Sequence, residues 1–240
     1  MTVSPQPPIL LAVAHGTTDP DGLAEVRRLV NIVRTRRPEL RVELCWLERA
    51  EPLLADVLAG LADPVVVVPL LLSTGYHVKT DIAAAVAGRP QTVVADQLGP
   101  DRRLTQVVYE RLMAGREPDE QADVVLFAAG SSDPEAFGQL TAVAEQLQQR
   151  IRRAEGSDQP RVYPSFLSPE DGWATELPED PDVANYLLAP GHFNDLLRTQ
   201  ARAGLNARSV AAPIGAHPLV ARVICDRYDE AAGTLAAGPG

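Results

Sequence analysis

The sequence predicts an α/β protein built from two similar parallel-sheet halves, and three observations predict it. Short apolar runs alternate with segments of helical spacing along most of the 240 residues. One run, 65–72, is apolar almost without a break, as in a strand covered on both faces. The pattern then starts again at residue 124 with similar residues at similar turns.

The elements follow in order. Residues 9–14 read as a buried strand that ends at His15-Gly16. Leu23, Val26, Leu29, Val30 and Val33 recur at helical spacing, and Pro38 ends that helix. Residues 42–47 read as a strand, and Pro52 suits the first turn of a helix over 52–61. After the strand 65–72 come a loop with Gly75, a helix over 80–87, a strand over 92–95 and a helix over 102–113. The charged stretch 114–123 reads as a linker, which places the domains at 1–115 and 116–240. The second half offers strands at 124–129, 162–167, 183–189 and 210–212, and helices at 134–153, 193–203 and 218–232. Three prolines within 168–182 replace the second helix, and the Ala/Gly-rich tail 231–240 reads as unstructured beyond the last helix.

Composition narrows the function. Aromatic residues are 5%, so the core is aliphatic. The balance of 22 basic against 32 acidic residues argues against a nucleic-acid groove. Cys45 and Cys225 are too few for a disulfide scaffold or a cysteine-rich zinc site. The run 9–14 is too short for a signal peptide or membrane span, so no membrane partner is expected and the cytoplasm is the expected location.

The halves align closely. Residues 14–20 match 128–134, Trp46-Leu47-Glu48 matches Phe166-Leu167-Ser168, Gly75 matches Gly191, and Leu98-Gly99 matches Ile214-Gly215. The match also exposes a contrast. The first half carries His15, Glu48 and His77 at the carboxyl ends of its first three strands, where ligands bind in open α/β sheets. The second half has Ala129, Ser168 and Phe193 there.

Two imidazoles and a carboxylate suit Fe²⁺, Co²⁺, Ni²⁺ or Zn²⁺, or serve as acid/base groups near pH 7. Each residue also has a structural alternative. His15 can hydrogen-bond its own loop, His77 can be a satisfied surface residue, and Glu48 can pair with Arg49. Phosphoryl transfer fits poorly: Ala14 stands where histidine phosphatases need an arginine, and the loop 16–20 has one glycine and an acidic Asp19. Asp19 is better read as a helix cap.

Three segments resemble the sirohydrochlorin chelatases, the class II chelatases of siroheme and cobalamin synthesis, in their two-domain form. They are Ala14-His15-Gly16-Thr17, the stretch from Trp46 to Pro52, and the long stretch from Val68 to Ile82. The resemblance implies insertion of Fe²⁺ or Co²⁺ into sirohydrochlorin without ATP, with no permanently bound cofactor. It implies that His15 and His77 hold the metal or take the pyrrole protons, with Glu48 assisting. A cleft between the halves would hold the macrocycle, and a chain carrying both halves implies a monomer. Lys79 is the leading contact for a substrate carboxylate, with Arg49 and Arg198 behind it. Thr17, the loop at Gly75 and His192 are further substrate contacts, and Thr18, Ser131 and Ser132 lie in matching loops. His217, before Pro218, reads as a helix cap or as a carboxylate contact. The competing expectation is a tetrapyrrole or metal carrier without turnover.

Overall fold

The computed structural model describes residues 6–75, 77–116, 122–131, 133–156, 160–167 and 177–237. Tyr76, Ser132 and Ser168 lie outside the described residues, as do the side chains of His77 and Lys79.

Two four-stranded parallel sheets form the frame. The first contains β1 (Ile9–Ala14), β2 (Val42–Trp46), β3 (Val65–Pro69) and β4 (Thr92–Val94) in the order β2-β1-β3-β4. The second contains β5 (Val124–Ala128), β6 (Val162–Phe166), β7 (Asp182–Asn185) and β8 (Ser209–Val210) in the matching order β6-β5-β7-β8. Registers match as well: Ala14 pairs with Trp46, and Ala128 with Phe166. The repeat read from sequence is therefore a repeat of topology.

The helices are α1 (Pro20–Arg36), α2 (Leu54–Ala59), α3 (Ala83–Val86), α4 (Arg102–Gly115), α5 (Pro134–Glu155), α6 (His192–Gly204) and α7 (Pro218–Ala237). Asp19 caps α1 by accepting the Asp21 N–H at 2.8 Å, and Asp133 caps α5 by accepting that of Glu135 at 3.1 Å. Four expectations change. The helix expected from Pro52 starts at Leu54, because the Pro52 carbonyl is committed to the Trp46 N–H at 3.0 Å. The helix expected over 80–87 is a wide π-helical turn, His77–Ile82, that runs into the short α3. Strand β7 stops at Asn185, whose side-chain oxygen takes the Leu187 N–H at 3.1 Å and turns the chain out of the sheet. The tail expected to be unstructured continues α7 through Ala237, as its alanines favour.

Packing divides the chain differently from the repeat. Helix α4 ends the first repeat in sequence but packs on α5 and β7 of the second sheet. Helix α7 ends the second repeat but packs on α1, β3 and β4 of the first. One apolar core therefore runs through both halves. It joins Leu10 and Val66 under Val220 and Ile224 to Leu126 and Ala184 under Leu104 and Val108. Smaller cores lie beneath α2 and α3 on the first sheet and beneath α6 on the second. Arg37 pairs with Asp229 at 2.9 Å and Arg103 pairs with Asp226, tying α7 to α1 and to α4. No described helix is long and apolar enough to cross a membrane.

Candidate active site

The carboxyl ends of both sheets open onto one cleft of about 730 Å³, within the range of small-molecule sites. The loops after β1, β2 and β3 line it from one side, and those after β5 and β7 from the other. Contacts across the cleft fix the two sides. Gln139 accepts the Thr74 N–H at 3.0 Å, and the Tyr186 hydroxyl donates to the Leu72 carbonyl at 3.3 Å. A Cβ on Gly22 would come within 2.4 Å of the Pro190 carbonyl oxygen.

His15 and Glu48 meet because the loops after β1 and β2 are stitched together. The Leu47 N–H donates to the Ala14 carbonyl at 2.9 Å and the Glu48 N–H to the His15 carbonyl at 3.1 Å. Gly16 lies between them with φ +105°, its Cα so close that a Cβ would stand 1.8 Å from the Glu48 carbonyl oxygen. The result is a His15 Nδ1 to Glu48 Oε1 distance of 3.7 Å, with both side chains partly exposed in the cleft wall. His15 Nδ1 also lies 3.3 Å from the Gly16 carbonyl. A carbonyl only accepts, so that contact calls for the proton on Nδ1 and puts the ring's lone pair on Nε2. Arg49 donates to Glu48 Oε1 at 2.8 Å, so the pairing expected as the structural alternative for Glu48 coexists with its approach to His15.

The other expected residues fall variously. His77 opens the π-helical turn at the carboxyl end of β3, next to β1. Among the described residues no group of three His, Cys, Asp or Glu side chains converges, so the pair His15–Glu48 is what the geometry displays. Thr17, Gly75 and His192 line the cleft, as do Thr18, Ser131 and Arg49. Thr17 Oγ1 accepts the Asp19 N–H at 3.1 Å, and Ser131 Oγ accepts that of Asp133 at 3.1 Å, a turn shared by both repeats. Arg198 is not among the lining residues. His217 is not either. Its Nδ1 accepts the Leu219 N–H at 3.2 Å, which makes it the cap of α7, and burial pulls its pKa below the usual histidine value. Sequence reasoning missed Gln139 and Tyr186, which join the two walls; a polar residue on a helix or after a strand carries no periodic signal of a distant partner.

The fold has known counterparts. The CbiX family model matches residues 9–114, from β1 through α4. Sirohydrochlorin ferrochelatase of Bacillus subtilis (strain 168) is 28% identical over 245 residues, covering 93% of this chain and 91% of that protein. Sirohydrochlorin cobaltochelatase of Saccharolobus solfataricus is 34% identical over 87 residues, covering 30% of this chain and 68% of that protein. The solved structure of SirB from Bacillus subtilis with Fe³⁺ superposes with a TM-score of 0.73 at 25% identity, covering 96% of this chain and 98% of that one. The chain belongs to the CbiX family of sirohydrochlorin chelatases.

Proposed function

We propose that this chain inserts Fe²⁺ or Co²⁺ into sirohydrochlorin without ATP, as a step of siroheme or cobalamin synthesis. The His15–Glu48 pair in the wall of the cleft carries the reading. Insertion exchanges two pyrrole N–H protons for one divalent ion, so the site must receive two protons for each metal delivered. A neutral imidazole can do both jobs in turn, its one free lone pair ligating the incoming ion and then, once the ion has passed to the macrocycle, accepting a proton. His15 presents its lone pair on Nε2, and Glu48 stabilises the imidazolium as it forms. His77, on the neighbouring strand end, is the second imidazole of the set. Two braced walls hold the macrocycle so that its nitrogens meet the ion, which lowers the entropic cost of the encounter.

Substrate carboxylates are met by Lys79, by the Thr17 hydroxyl, by the backbone at Gly75 and by His192. The first repeat, 1–115, supplies the chemistry, and the second, 116–240, supplies the facing wall. The chain works as a monomer in the cytoplasm, with no resident cofactor. The test is the absorbance change on adding Fe²⁺ or Co²⁺ to sirohydrochlorin with enzyme. His15→Ala is expected to lower the rate on the order of a hundredfold or more. An unchanged rate in that variant overturns the site assignment. Stoichiometric binding with no acceleration over spontaneous insertion overturns catalysis in favour of a carrier.

A further inference from the structure

Phe193 is the one large apolar side chain left exposed among the described residues, at 40%. It lines the cleft on the first turn of α6. Leu197 and Ala201 follow at intervals of four residues on the same face of α6, and both are fully buried against the second sheet. The apolar stripe of α6 thus overshoots its sheet by one position and ends in the cleft. The ring is held there by its backbone. Gly191, the N-cap, has φ +138°, and a Cβ on it would stand 2.9 Å from Thr17 Oγ1, two residues from His15. The His192 ring meets Phe193 edge to face, with centroids 5.5 Å apart. The nearby lining is aliphatic, with Leu187, Leu188 and Ala189 before the turn.

A phenyl face in an apolar cleft is complementary to a flat conjugated ring, which stacks on it with little loss of side-chain freedom. Resting on the chelatase reading above, we propose that Phe193 packs against the ring plane of the tetrapyrrole and holds the macrocycle in the cleft. The contact is made by the metal-free substrate and persists through insertion, so it governs binding more than turnover.

The test titrates metal-free sirohydrochlorin into wild type, Phe193→Ala, Phe193→Leu and Phe193→Tyr, following tetrapyrrole fluorescence, with steady-state kinetics alongside. Phe193→Ala is expected to weaken binding and raise KM by roughly tenfold, with kcat within about twofold. Phe193→Tyr is expected to bind like wild type, and Phe193→Leu to fall between, because it keeps apolar bulk but not the ring. Melting curves confirm that each variant folds, and the tyrosine variant keeps the comparison open if the alanine variant does not. Wild-type affinity in folded Phe193→Ala overturns the inference, as does a fall in kcat at unchanged affinity. Wild type that fails to bind sirohydrochlorin at all overturns the functional reading, and the inference with it.

Discussion

Gly16→Ala isolates the geometry that brings His15 to Glu48. The added Cβ would sit 1.8 Å from the Glu48 carbonyl oxygen, against the 3.4 Å at which ordinary contact begins. The oxygen is backbone and the Cβ is fixed by its own backbone, so no side chain can swing aside. The two loops must part by well over an ångström, and φ +105° strains alanine as well. Together these cost about 2–4 kcal/mol of stability, or a fall in Tm of roughly 5–15 °C for a chain this size. Displacing a catalytic group by an ångström costs on the order of a hundredfold in rate, so the activity loss should exceed what the lower Tm explains. The assay is metal insertion at saturating sirohydrochlorin, well below the variant's Tm. Gly88→Ala is the control. Gly88 also has positive φ, at +77°, but a Cβ there meets nothing within 4 Å. It should lose about 1 kcal/mol and keep its rate. A folded Gly16→Ala variant within about threefold of the wild-type rate would refute the argument.

Two further outcomes follow from the packing and the charges. Leu104→Ala opens a cavity where α4 meets the shared core and should cost about 2–5 kcal/mol, with unfolding still one transition by circular dichroism and intrinsic fluorescence; separate transitions for the two sheets would contradict a single core. His217, its pKa held down by burial, resists protonation in the folded state more than in the unfolded one. Its sign is therefore unfavourable on acidification: stability should fall as pH drops through the ordinary histidine value of 6.5, and protonation also removes the cap on the Leu219 N–H. His217→Asn keeps a cap acceptor and should flatten the decline between about pH 7 and 5; an equal slope in that variant would dismiss the group.

The strands were legible because both faces of each sheet are covered, so the chain must be apolar along 9–14, 65–68 and 124–127. Helix starts at Asp19 and Asp133 were legible because each cap is a local side-chain to backbone contact. The approach of His15 to Glu48 followed from adjacent strand ends. What covers what was not legible. Helices α4 and α7 each show an apolar face, and Val107 or Val223 reads the same whichever sheet lies beneath it. The apolar run 183–189 misled because Leu187, Leu188 and Ala189 pack against the cores and line the cleft after the strand has ended, which asks for apolar side chains without strand pairing. The π-helical turn at His77 leaves no composition signal, since its residues would suit an ordinary helix.

The exchange of α4 and α7 has a mechanical consequence. Among the described residues, one lobe takes in 9–94 with 218–237 and the other those within 102–210, and the polypeptide passes between them at the segments around Gly99 and Gly215. The first sequence repeat ends at Gly115 inside the second lobe, where the next residue, Arg116, pairs with Asp182 at 2.7 Å. Both crossings are pinned at equivalent points, Leu98 N–H to the Leu71 carbonyl at 2.8 Å and Ile214 N–H to the Leu187 carbonyl at 2.9 Å. Each crossing is thus fastened to a lining residue of the cleft, Leu71 on one side and Leu187 on the other. With the braces at Thr74–Gln139 and Leu72–Tyr186 and the core shared beneath them, the two crossings hold the lobes in one relation, so the span of the cleft is set by the fold before any ligand arrives.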